Sequence, residues 1–195
     1  MAAKSNSHDA FPKQLKLNDG TEVTIRRMEP GDQDKMLAFA SRLPEEDLLF
    51  LRTDITDKQV IKQWAEAIKA GHTVTLLAEA NGDIAAYASV HLEQARWTRR
   101  VGEIRVIGGN RFRGRGLGRR LAAEIFELAR SLGLKKLSAM MTPDQVAARA
   151  AFERLGFRVE AILADWVEDR SGRVRDMLVM THDLDGFTDQ VVAHN

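Results

Sequence analysis

The chain has 195 residues, 44% of them hydrophobic and 29% charged, with a formal net charge of +1 and no cysteine. That length fills one good core. The near-zero charge removes any global pull toward nucleic acid or acidic membranes, and the absent thiols remove disulfides, zinc–thiolate sites and cysteine nucleophiles. Charge is unevenly spread, however. Nine arginines (96, 99, 100, 105, 111, 113, 115, 119 and 120) but only one acid, Glu103, fall between Arg96 and Arg120, so the remainder is net acidic.

Residues 1–13 lack the apolar stretch of a secretory leader and are expected to be a disordered lead-in, with one domain over 14–184 and a tail at 185–195. No apolar run reaches transmembrane length, and together with the missing cysteines this fits a cytoplasmic protein. Asn18-Asp19-Gly20 predicts a β-hairpin over Leu15–Arg27. Pro30-Gly31-Asp32 opens a helix with Met36, Leu37, Ala40 and Leu43 on one face, ending at Pro44. Val60, Ile61, Trp64 and Ile68 predict a second helix, about Asp57 to Gly71. TVTLLAEA and DIAAYASVHL are strands joined by Asn81-Gly82.

Glu103–Gly108 is a further strand. Leu117, Leu121, Ile125, Leu128 and Leu132 then stripe a helix stopped by Gly133. KKLSAMM is a strand, and PDQVAARAAFERLG a helix with proline in its first turn. Two closing strands, about Phe157–Val167 and Arg173–Thr181, flank a turn at 169–172. The expected fold is one α+β domain with a mixed, mostly antiparallel twisted sheet flanked by four helices.

Between strand and helix lies RFRGRGLGRRL, Arg111–Leu121. It is not a dinucleotide fingerprint, for the third glycine is missing and Lys135-Lys136 stand where an acid is needed roughly 20 residues on. No Gly-Lys-Ser/Thr triplet of a phosphate-binding Walker loop exists. Phosphate binding is nevertheless the favoured reading. Glycines 114, 116 and 118 allow close backbone approach, and a helix N-terminus offers free amides and a positive dipole end. Arginines there oppose the dipole by a few tenths of a kcal/mol each, a cost that a bound anion reverses. A glycine turn with solvated arginines remains the alternative.

Arg113-Gly114-Arg115-Gly116-Leu117-Gly118 resembles the arginine/glutamine-x-x-Gly-x-Gly signature of the GNAT acetyltransferase superfamily, and QVAARAAFERLGF (Gln145–Phe157) resembles that family's Asn-x-x-Ala-x-x-Leu-Tyr-Glu-Lys-Leu-Gly-Phe segment. The likeness covers roughly residues 20 to 184. LNDGTEVTIRRMEPGD is similar to the start of the acetyltransferase domain of bacterial protein lysine acetyltransferases. The resemblance implies a GNAT fold and acetyl-CoA as acyl donor. It implies that Arg113, Gly114, Arg115, Gly116, Leu117, Gly118 and Arg119 hold the pyrophosphate, with Gln145 and Phe152 beside the pantetheine arm. In those lysine acetyltransferases an acid ten residues before the signature is the general base, and that count lands on Glu103.

Acyl transfer from a thioester to an amine needs a free amine, and amines with pKa about 10 are mostly protonated at neutral pH. Glu103 is the candidate base; its alternative is an ion pair with Arg105 or Arg99. A backbone N–H among Val106, Ile107 and Gly108 would polarise the carbonyl. Phe152 stands where the family commonly has a proton-donating tyrosine, so no acid is assigned. Tyr87 reads as core or rim, His72, His91 and His182 show no metal spacing, and no metal is expected. Trp97 and Trp166 fit either an acceptor pocket or simple packing; Asp165, Glu168, Asp169 and Asp176 fit a solvated hairpin edge or a landing site for a cationic acceptor. The expected partner is an amine, on a protein lysine or a small molecule, with a homodimer as an open possibility and neither nucleic acid nor membrane. The competing reading is a coenzyme A-binding regulatory module without catalysis.

Overall fold

The computed structural model describes residues 11–48, 51, 53–169 and 172–184. β1 (Lys13–Lys16) and β2 (Glu22–Arg27) form the opening hairpin. Its turn closes through the Thr21 amide donating to the Asp19 carboxylate at 3.0 Å. β1 begins at Lys13 and Phe11 packs against the core, so the folded chain starts ahead of residue 14. Residues 1–10 and 185–195, expected as lead-in and tail, lie outside the described residues, as do Arg170 and Ser171 of the closing turn.

α1 (Gln33–Ala40) is shorter than expected. Pro44 does not end it but precedes a single further turn, α2 (Glu45–Leu48), where the Asp47 amide donates to Pro44 O. A fixed proline φ suits a helix start better than a helix interior. α3 (Lys58–Lys69) carries an N-cap, the Asp57 carboxylate accepting from the Gln59 amide at 2.8 Å. With α4 (Leu117–Ser131) and α5 (Val146–Arg154), four helices of eight residues or more flank the sheet, as expected. α3, α4 and α5 each end on glycine, with six-to-one bonds such as Phe157 N–H to Phe152 O. Leu132, expected in the buried stripe of α4, caps its end and is exposed; Ala122, Phe126 and Ala129 fill the stripe instead.

β3 (Thr73–Ala80), β4 (Asp83–Leu92), β5 (Val101–Gly108), β6 (Lys136–Met141), β7 (Arg158–Glu168) and β8 (Val174–Asp183) complete one eight-stranded sheet, ordered β1-β2-β3-β4-β5-β6-β8-β7. Every neighbouring pair is antiparallel except β5 with β6. Apolar residues alternate to the two faces. On one face Ile25, Leu76, Ala88 and Ile104 pack under Leu117, Leu121 and Ile125 of α4. On the other, Leu77 and Tyr87 pack under Met36 and Phe39 of α1 and Ile61 of α3. Both faces are therefore covered at the sheet's centre, where β5 lies.

Candidate active site

β5 pairs with β4 from Gly102↔Leu92 to Gly108↔Ala86, but with β6 over only three residues, the last pair being Glu103↔Ser138. Beyond that point the two strands part, and a cleft of about 1510 Å³ opens between them. The ladder fixes which backbone groups face it. The Gly109 amide donates to Ala85 O on the β4 side (2.8 Å), whereas Arg100 O accepts from the Lys136 amide on the β6 side (3.2 Å). Bonding direction alternates along an antiparallel strand. Odd positions of β5 are thus given to β4, and beyond the last pair with β6 it is Val106 and Gly108 that turn their amides and carbonyls to the cleft. Val106 and Gly108 present the backbone donors that the sequence suggested. Ile107 does not; its backbone faces β4 opposite Tyr87 and its side chain joins the core under α1 and α3.

The arginine–glycine loop stands at the far end of the cleft. After a short 3-10 turn at Asn110–Phe112, Gly116 takes φ +83°, a left-handed conformation strained for any side chain, and turns the chain into α4. Leu117 anchors the first turn in the core. The first helical bond runs from Arg120 N–H to Gly116 O (3.1 Å), so the amides of Leu117, Gly118 and Arg119 have no acceptor within the helix. A Cβ on Gly108 or Gly118 would meet nothing within 4 Å. The loop's arginines divide between two tasks. Arg113 pairs with Asp47 of α2; Arg115 pairs with Asp19 of the first hairpin at 2.5 Å and lies over the Phe112 ring. Both anchor the loop; Arg115 does not line the cleft, whereas Arg113 and Arg119 do. Free amides, a positive dipole end, Arg119 and two uncrowded glycines fit a pyrophosphate.

At the vertex, Glu103 and Arg105 are joined at 2.9 Å, their side chains only 16% and 18% exposed, and both line the cleft. The ion pair given as the alternative to a base at Glu103 therefore exists, with Arg105, and it holds the carboxylate at the cleft wall. Gln145 also lines the cleft, but its Oε1 accepts from the Thr142 amide at 3.0 Å, leaving only its NH₂ to donate outward. α5 begins at Val146 rather than at Pro143, because Pro143–Gln145 form a turn closed by Gln145 N–H to Thr142 O. Phe152 lines the cleft while packing edge-on against Phe157, centroids 5.0 Å apart. Tyr87 is core: it lies between Phe39 and Trp64, and burial pushes its phenol pKa far up. Trp166 lines the mouth, 63% exposed, while Trp97, 90% exposed, stands outside it. Asp169 is committed to Arg175, which also holds Asp144 at 2.6 Å, an arginine bridge the sequence reading missed for want of any spacing signal.

Residues 38–157 match the profile of the acetyltransferase (GNAT) family. The chain belongs to that family. As a GNAT acetyltransferase it has the expected fold, and solved structures share it. Ribosomal-protein-alanine N-acetyltransferase of Brucella melitensis is 27% identical over 82% of this chain and 98% of its own, with a TM-score of 0.71. The yncA protein of Salmonella typhimurium, solved with acetyl-CoA as its cofactor, is 24% identical over 84% and 94%, TM-score 0.72. The GNAT domain of S. lividans PAT is 15% identical over 90% and 98%, TM-score 0.74. The likeness to the last two is one of fold.

Proposed function

We propose that this GNAT enzyme transfers the acetyl group of acetyl-CoA directly to a primary amine, with Glu103 as general base. The observation that carries the reading is the parting of β5 from β6 at Glu103, with the N-terminus of α4 at the other end of the same cleft. Acetyl-CoA supplies an activated thioester. The amides of Leu117, Gly118 and Arg119, with the Arg119 side chain, hold its pyrophosphate. The Phe152 ring and the Gln145 NH₂ line the path of the pantetheine arm.

Glu103 takes the proton of the incoming ammonium, directly or through a water, and Arg105 holds that carboxylate in position. The cleft-facing amides of Val106 and Gly108 stabilise negative charge growing on the carbonyl oxygen. Phe152 has no proton to give, so the thiol leaves as a thiolate; with a pKa about 8.5 it leaves without assistance in the same step. A protein lysine and a small amine both satisfy this chemistry. The chain without cysteine, in which no helix of the described residues is long and apolar enough to cross a membrane, suits a cytoplasmic setting.

Thiol release from acetyl-CoA, followed with a panel of small amines and lysine-bearing proteins and paired with mass analysis of the acceptor, tests the reading. Acceptor-dependent release with a matching acetyl mass gain is the expected result. Binding of acetyl-CoA with no transfer to any amine would defeat it.

A further inference from the structure

A second cavity, about 190 Å³, lies on the α3 face of the sheet. Its walls are apolar: Ile55, Val60 and Ala67, with the Trp64 ring turned edge-on to Tyr87 at 5.0 Å. Trp64 is locked there by its Nε1–H, which donates to Thr75 Oγ1 at 3.0 Å. Thr53, Gln63, Arg105 and His91, whose Nδ1 lies 3.1 Å from Thr73 Oγ1, form the polar side, and among the described residues no carboxylate lines the cavity. Arg105 lines this cavity and the large cleft alike. Glu103, two residues along β5, points to the same face and sits opposite His91 in the ladder. The base and the cavity are therefore neighbours, with the Glu103–Arg105 pair between them.

We infer that this cavity receives the acceptor, and that the acceptor is a free α-amino acid with an apolar side chain, or a close analogue. The inference rests on the reading of Glu103 as the base. An α-amino acid carries an ammonium and a carboxylate on one carbon. Glu103 and Arg105 carry the opposite charges in the same relation, 2.9 Å apart. With its ammonium at Glu103, such a molecule sets its carboxylate against Arg105, whose single hydrogen bond to Glu103 leaves guanidinium donors to spare. Its side chain then enters the apolar cavity. A lysine chain or a polyamine would meet a fixed cation at the same place, which disfavours it. The size agrees: the cavity is smaller than the roughly 300–1,000 Å³ of drug-sized sites and suits a few carbons.

The full chain carrying Trp97→Phe and Trp166→Phe keeps Trp64 as its sole tryptophan, so Trp64 fluorescence reports on the cavity directly. Each common amino acid is titrated against it, and the best ligand is compared in thiol release with its own amide, with the amine lacking the carboxylate, and with a lysine peptide. The expected result is a saturable Trp64 response. The amino acid should also exceed its amide in kcat/KM by about ten- to hundredfold. Arg105→Gln should abolish that margin, the amino acid falling to the kcat/KM of its amide whatever rate both lose through Glu103. Ala67→Leu, which fills the cavity from α3, should weaken the amino acid and leave acetyl-CoA affinity as in the parent. A lysine peptide preferred over every amino acid, an amide equal to its acid, or a silent Trp64 overturns the inference. If no amine supports thiol release, the transfer reading falls, and the Trp64 response alone then decides whether the cavity binds amino acids.

Discussion

The two ends of β5 share a partner on one side and differ on the other. Gly102 and Glu103 are held between β4 and β6; from Arg105 to Gly108 the strand has β4 alone. Each end carries a glycine, for opposite reasons. A Cβ at Gly102 would stand 2.7 Å from both Leu134 Cδ1 and Val90 Cγ1, whereas at Gly108 it would meet nothing within 4 Å. The closed end excludes a side chain because the protein already fills the space. The open end is bounded by backbone amides, the loop and α5, and there the space is left unfilled by the protein. Glu103 is the last residue of the closed end and the first wall of the open one.

The largest effect is expected at that boundary. Glu103→Gln should lower turnover by about a hundredfold or more near neutral pH while acetyl-CoA affinity stays unchanged. The deficit should shrink at high pH, where the amine no longer needs a base. Initial rates of thiol release across pH check this, and parent-like activity at neutral pH would remove Glu103 from the mechanism. Next comes the closed end: Gly102→Ala overpacks the core and should cost about 1–3 kcal/mol in a denaturant titration. An unchanged midpoint would show that Leu134 and Val90 yield freely.

On the open side, Phe152→Tyr adds only a hydroxyl beside the cleft and should keep or raise turnover, while Phe152→Ala weakens acetyl-CoA binding through lost apolar contact. If instead the tyrosine variant melts early and the alanine variant binds normally, Phe152 serves Phe157 and the core rather than the substrate. The smallest effect on stability belongs to Gly108→Ala, which should stay within about 0.5 kcal/mol of the parent. A loss as large as that of Gly102→Ala would erase the distinction between the two ends.

Much of this was legible in the sequence, because its signals are local. The Asn-Asp-Gly and Asn-Gly turns, the leucine stripe and the terminal glycines place hairpins and helices without reference to anything distant. The glycine loop and its helix could be located for the same reason. What stayed hidden depends on partners far along the chain. The point at which β5 leaves β6 is set by residues 136–138, and no periodicity reports it. The ion pairs of Arg113 with Asp47 and of Arg115 with Asp19, brought in by α2 and the first hairpin, are contacts of this kind. Gln145 matched a cofactor-binding position, but half of its amide is spent on the Thr142 backbone. Ile107 sat among the candidate donors until the ladder assigned its backbone to β4. The cavity under α3 left no trace at all, since its lining comes from five separate segments.

The central claim is that the open cleft and the N-terminus of α4 hold acetyl-CoA, and Gly118→Asp tests it most directly. Gly118 lies in the first turn of α4, and its Cβ would meet no atom within 4 Å. An aspartate there complements the helix dipole and replaces a poor helix former, so the melting temperature should hold or rise. The same carboxylate stands where the pyrophosphate binds, and calorimetric affinity for acetyl-CoA should fall by about two orders of magnitude or more. A variant that melts like the parent and still binds acetyl-CoA like the parent would contradict the account.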